Sequence, residues 1–143
     1  MTKLVAFDPG GTTGFVIFDN VDYRARDYDL SAVGVIEWHD RKHIETILRS
    51  SMPDVIVIED FKLRRDKALE QSGSDMPAPR VIERILVYCE QLKLDDRIVI
   101  QMPGLRTSCN VPLEHQRVCR ISHIRAAYLH ARYYVLTHKR LGQ

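Results

Sequence analysis

Two acidic residues, Asp8 and Glu59, close short apolar runs: Leu4-Val5-Ala6-Phe7 before the first and Val55-Ile56-Val57-Ile58 before the second. Such runs, bounded by turn residues, read as buried strands. Strand ends in open α/β sheets are where side chains leave the core for a crevice, so the two acids belong together. Two carboxylates a few ångströms apart repel, and burial raises their pKa values further unless a cation is present. Hard oxygen donors suit Mg²⁺ or Mn²⁺. The plainer alternative makes both of them surface acids at strand exits. Asp60 follows Glu59, but consecutive strand residues point to opposite faces, so one site does not use both.

The elements that must position these acids follow from hydrophobic spacing. The run Pro9-Gly10-Gly11-Thr12-Thr13-Gly14 reads as a tight turn after Asp8, because glycine adopts backbone conformations closed to other residues. Strands are predicted over residues 15–18 and 32–38, with a hairpin near 20–30. Ile44, Ile47 and Leu48 give helical spacing over residues 43–48. The strand ending at Glu59 is apolar on both faces and therefore central. Residues 60–79 form a polar stretch too long for a simple connection. A helix is predicted from Pro79 to about residue 94, where Val81, Ile82, Ile85, Leu86, Cys89 and Leu92 make a broad apolar stripe. A fifth strand over residues 97–102, an irregular segment through residue 119 and a final helix over residues 121–138 complete the chain. Three antiparallel strands followed by crossover-connected ones predict an α/β fold, a five-stranded mixed sheet with helices on both faces. The 143 residues fit one domain, 1–143.

Net charge is only +2, but it is unevenly spread. Residues 1–60 hold 6 Lys/Arg against 11 Asp/Glu, residues 61–100 hold 8 against 7, and residues 101–143 hold 7 against 1. An acidic sheet beside a cationic surface suits phosphate-bearing partners, although solvated surface charge gives the same count. Cys89, Cys109 and Cys119 are odd in number and contain no CxxC pair, which predicts reduced thiols. The spacing of Cys109, His115, Cys119 and His123 matches no established zinc pattern. No apolar run is long enough for a membrane span or a signal peptide, so the expected location is the cytoplasm.

Taken in order, Phe7-Asp8-Pro9-Gly10 with Gly14 and an apolar strand behind it resembles the opening of RuvC-type Holliday junction resolvases. Val55-Ile56-Val57-Ile58-Glu59 is similar to their second acidic strand, and Ser122-His123-Ile124-Arg125-Ala126-Ala127-Tyr128 to their last helix. The match covers nearly the whole chain and suggests the small, divergent resolvases of phages and bacteria. It implies a ribonuclease-H-like fold and cleavage of branched DNA with two Mg²⁺ or Mn²⁺ ions roughly 4 Å apart. It also implies that Asp8 is shared between the ions, that Glu59 holds one and that His123 holds the other.

One position departs from the pattern. Where those proteins carry an aspartate three residues after the His or Asp of the last helix, this chain has Ala126. On a helix, residues three apart share a face, so His123 keeps its direction while its partner is absent. Loss of a carboxylate ligand should cripple cleavage while sparing DNA binding. This leaves two explanations, an engineered inactive variant or a natural nuclease-dead relative, and the retained acids and His123 favour the first.

Around this centre, Lys62, Arg64, Arg65 and Lys67 follow Glu59 and are expected to clamp phosphates, as are Arg106, Arg117 and Arg120 ahead of the last helix. A helical wheel turns Arg125 away from His123 and puts His130 on the His123 face, where packing is the expected job and assistance at the site the alternative. A four-way junction has two-fold symmetry, so a homodimer is expected, with the 79–94 helix as its candidate surface. A non-catalytic branched-DNA-binding protein and a nuclease for RNA–DNA hybrids or flaps are the rival readings. Sugar kinases and actin-like ATPases have a similar first turn, but they need a second subdomain that this length does not supply.

Overall fold

The computed structural model describes residues 2–60 and 77–138. Strands β1 (Leu4–Asp8), β2 (Thr12–Asp22) and β3 (Asp27–Glu37) come first, then helix α1 (Lys42–Ser51) and β4 (Val55–Glu59). Helix α2 (Pro77–Gln91), β5 (Ile98–Gln101) and helix α3 (Ser122–Thr137) follow, with short 3₁₀ turns on either side of β5 and before α3. The sheet order is β3-β2-β1-β4-β5. β2 is antiparallel to both β1 and β3, whereas β4 lies parallel to both β1 and β5. This is the five-stranded mixed sheet expected from the sequence.

Period-two alternation along β1 and β4 divides the core between the two faces. Leu4, Ala6, Val55 and Val57 turn toward α3 and pack against Ile124, Ala127, Tyr128 and Ala131. Val5, Phe7, Ile56 and Ile58 turn the other way, against Ile44, Leu48, Val81, Ile85 and Cys89 of α1 and α2. The last residue in each alternation, Asp8 on β1 and Glu59 on β4, therefore turns toward α3. Each fully buried aliphatic side chain here contributes about 1.5–3 kcal/mol, so the register holding both acids on one face is strongly fixed.

Several elements extend beyond their sequence-predicted limits. β2 and β3 run for 11 residues each, and polar residues at their far end pair in a hairpin arm. On β3, Asp27-Tyr28-Asp29-Leu30-Ser31 alternates polar and apolar residues, and Tyr28 and Leu30 pack against the core. Helix α2 starts at Pro77 rather than Pro79; both prolines fit the first turn, where an N–H has no helical partner. The segment between β5 and α3 is pinned by a buried polar network. Tyr28 and Tyr128 join through their hydroxyls, His115 Nδ1 lies 2.6 Å from the Tyr128 hydroxyl, and Arg132 Nη1 donates to the Tyr28 hydroxyl at 2.8 Å.

Candidate active site

Three parallel strands end together on the α3 side of the sheet. β1 delivers Asp8, β4 delivers Glu59, and β5 delivers Gln101, which sits directly opposite Glu59 in the strand register. Asp60, one residue on, turns away by strand alternation, as expected. The first turn of α3 brings His123 down onto the same point, with Nδ1 3.2 Å from Asp8 Oδ2. Gly14 makes that approach possible. It is paired with Asp8 across β1 and β2, and a Cβ there would lie 2.0 Å from the His123 carbonyl oxygen. Asp8, Glu59 and His123, expected together from the sequence, are together in space.

The site holds more than those three. His130, two turns beyond His123 on α3, is fully buried. Its Nδ1 donates to Gln101 Oε1 at 2.7 Å, while its Nε2 lies 3.6 Å from Glu59 Oε1, beyond hydrogen-bond length. Packing was the expected job for His130, and the structure places it against a site carboxylate instead. A lone histidine on an apolar helix face gives no sequence signal of that kind, because the signal lies in Gln101 across the sheet. Arg106, in the 3₁₀ turn Pro103–Ser108, reaches Glu59 Oε1 with Nη1 at 3.3 Å.

The electrostatics follow from burial and proximity. Burial, a hydrogen bond to Glu59 and repulsion from its charge push the Asp8 carboxyl up to about 8, against a smaller opposing pull from Arg106. Burial works against the charge on Glu59 as well, but His130, the Asp8 hydrogen bond and Arg106 together hold it below the usual carboxylate range. The two acids thus share one proton. Glu59 Oε2 and His130 Nε2 are both buried with no hydrogen-bond partner.

Among the described residues, no three His, Cys, Asp or Glu side chains already close on one point as a finished metal site. The donors are paired with one another instead. Their chemistry nevertheless fits a divalent ion: two adjacent carboxylates short of positive charge, an orphaned buried oxygen, and imidazole nitrogens aimed at both acids. Nothing comparable forms around the cysteines. Burial pushes the Cys89 and Cys119 thiols up to about 11, and His115 is engaged with Tyr128.

Beside the acids lies a cleft of about 870 Å³, lined by Arg106, Asn110, Gln116, Ser122, Arg125 and Ala126 among others. Ala126 is buried on α3 at the cleft wall. Arg125 is exposed, as expected of a solvated face, and it also lines this cleft, which the 3₁₀ segment after β5 forms beside α3. Arg117 and Arg120 are exposed ahead of α3 and do not line it. Lys62, Arg64, Arg65 and Lys67 lie outside the described residues.

This architecture is the α/β ribonuclease-H-like fold in its RuvC-like form. The chain superposes on Thermus thermophilus RuvC in complex with a Holliday junction substrate with a TM-score of 0.67 at 14% identity, covering 95% of this chain and 94% of that one. The fowlpox virus Holliday junction resolvase gives a TM-score of 0.62 at 13% identity, over 93% of this chain and 96% of that one. The same viral resolvase bound to Holliday junction DNA gives 0.62 at 14% identity, over 91% and 97%. No protein-family model matches the chain, and no curated protein matches it by sequence. No helix among the described residues is long and apolar enough to cross a membrane.

Proposed function

We propose that this protein is a divalent-metal-dependent DNA endonuclease acting on branched DNA, with the four-way junction as its principal substrate. The observation that carries this reading is the convergence of Asp8, Glu59 and His123 at one end of a RuvC-like sheet, beside a cleft lined by arginines. The structural neighbours include two resolvases bound to junction DNA, and a superposition spanning almost the whole chain supports transferring that substrate class.

Asp8, Glu59 and His123 would hold Mg²⁺ or Mn²⁺, two ions in the full arrangement. When bound, the metal supplies charge neutralisation at a phosphodiester and an ionised water nucleophile. The protein's own part is electrostatic and positional. Asp8 would hold the cation as a carboxylate, its proton passing to solvent. Arg106 is then free to leave Glu59 for a phosphate, and Arg125 tracks the strand along the cleft. A homodimer would place two such sites for paired cuts in a two-fold substrate. Exposed Val87 on α2 is compatible with that helix as the contact, and a cytoplasmic location suits the free thiols.

Ala126 favours one alternative, a protein that binds branched DNA without cutting it. Removing a carboxylate ligand costs orders of magnitude in rate unless another group stands in. A panel of junction, fork, RNA–DNA hybrid and linear substrates with Mg²⁺ or Mn²⁺ separates the readings. Nicking of the junction supports the nuclease. Junction binding with no nicking under either metal, unchanged by Ala126→Asp, favours the binding protein.

A further inference from the structure

Two buried side chains meet with donor atoms unsatisfied: His130 Nε2 lies 3.6 Å from Glu59 Oε1, and neither that nitrogen nor Glu59 Oε2 has a hydrogen-bond partner. His130 is 0% exposed, so no solvent reaches its ring. Gln101 Oε1 can only accept, so His130 Nδ1 must carry the hydrogen of their 2.7 Å bond. With Nδ1 committed to Gln101, Nε2 is the ring atom turned toward the Glu59 carboxylate, 3.6 Å from its Oε1. A histidine whose far nitrogen is fixed by a buried amide while its near nitrogen meets a carboxylate has the arrangement of a metal ligand and its orienting partner.

The helix explains how this bears on position 126. His130 follows His123 by seven residues and lies on the same face of α3. Ala126 stands one turn before His130, where a small side chain leaves the ring unobstructed. We infer that His130 is a metal-ligating residue, oriented by Gln101, which supplies from one turn further along α3 the donor that Ala126 does not. The ligand set becomes two carboxylates and two imidazoles. Replacing an oxygen donor by a nitrogen donor shifts preference from Mg²⁺ toward Mn²⁺, because imidazole binds transition ions better than it binds magnesium. This inference rests on the proposal above only in requiring a divalent ion at Asp8 and Glu59.

The test reads the ligands directly. Pulsed electron paramagnetic resonance on the full-length protein loaded with Mn²⁺ should show nitrogen couplings from two imidazoles. His123→Asn and His130→Asn should each remove one, and the double variant both. His130→Asn keeps an amide donor for Gln101, and Mn²⁺ affinity should fall by at least about tenfold, with Mg²⁺ affinity falling less. Gln101→Leu provides a second variant should His130→Asn not fold. It should weaken Mn²⁺ binding while both nitrogen couplings persist. Unchanged nitrogen couplings and Mn²⁺ affinity in folded His130→Asn overturn the inference and leave the histidine as a buried partner of Glu59. No Mn²⁺ binding by the unaltered protein, a distinct result, overturns the metal-dependent reading as well.

Discussion

The carbonyl oxygen of His123 occupies space that only a glycine at position 14 leaves open, since a Cβ on Gly14 would come within 2.0 Å of it. The obstruction is backbone, so the helix has no flexible end to move aside. Gly14→Ala should lift the start of α3 from β2 and separate His123 from Asp8, costing roughly 1–3 kcal/mol, as overpacking does, with the upper end expected. Gly34 offers the comparison, because its Cβ would meet the Phe15 ring at 2.7 Å, a side chain distant in role from the acids. Gly34→Ala should lower stability in urea unfolding while leaving Mn²⁺ affinity intact, and Gly14→Ala should lower both. Equal metal binding by the two variants would show that α3 tolerates displacement at His123.

Asp8 makes the stability of the metal-free protein depend on pH. Its carboxyl ionises near 3.8 in an unperturbed chain and at about 8 in the fold. Between those values the folded protein holds one more proton than the unfolded chain, so stability falls as pH rises through that window. Glu59, held below its usual range, acts in the opposite sense: its contribution is present above about 4.5 and is lost in more acidic solution. Thermal unfolding from pH 5 to 8.5 in a chelator should therefore show a decline that Asp8→Asn abolishes. Saturating Mn²⁺ should remove the decline in the unaltered protein, because the cation binds the ionised form. A decline of the same slope in Asp8→Asn would place its origin elsewhere.

Much of this site was legible in the sequence because strand alternation is rigid. Four apolar residues before Asp8 and four before Glu59 fix which face each acid takes once both strands are central. His123 was legible only through the resemblance of its helix to that of resolvases, not through spacing. His130 was legible only as a residue on the His123 face with a lesser chance of a site role, since its partner Gln101 comes from an edge strand whose register no local pattern reveals. A helical wheel put Arg125 on an exposed face, where it is, but a wheel describes one helix and could not show the cleft formed beside it. Secondary structure and facing could be read locally, whereas cross-sheet partners could not.

Arg106 stands 3.3 Å from Glu59 in the absence of metal, supplying part of the positive charge that the acids lack. A cation at Glu59 competes with that guanidinium. Arg106→Ala should therefore bind Mn²⁺ somewhat more tightly, by a factor on the order of two to ten, while binding junction DNA more weakly. Isothermal titration for the metal and fluorescence anisotropy for the DNA resolve the two effects. Weaker binding of both would mean that Arg106 holds Glu59 in position rather than competing for it.

The Tyr128 hydroxyl is buried between Tyr28 and His115, and it ties the segment after β5 to α3. Tyr128→Phe keeps the ring but leaves the His115 Nδ1 contact unmade and Tyr28 with Arg132 alone, which should cost about 1–3 kcal/mol. The cleft wall depends on that segment, so junction affinity should fall along with stability. A variant of unchanged stability would show that the network contributes no net free energy.

Arg125 lines the cleft, where the proposed function would have it meet phosphates. If a DNA strand follows it, removing this one charge should lower junction affinity and reduce the salt slope, the decrease of log K with log salt, by about one unit. Arg24 is the control, because it sits in the turn between β2 and β3, at the far end of β2 from Gly14, the Asp8 partner. Arg24→Ala should change neither quantity. Titrating junction and linear duplex across a range of salt then separates charge from shape, since phosphate attraction weakens for both while recognition of the branch point does not. A junction preference that persists at high salt supports branched DNA as the substrate. Equal affinities at every salt concentration would remove the reason to assign it.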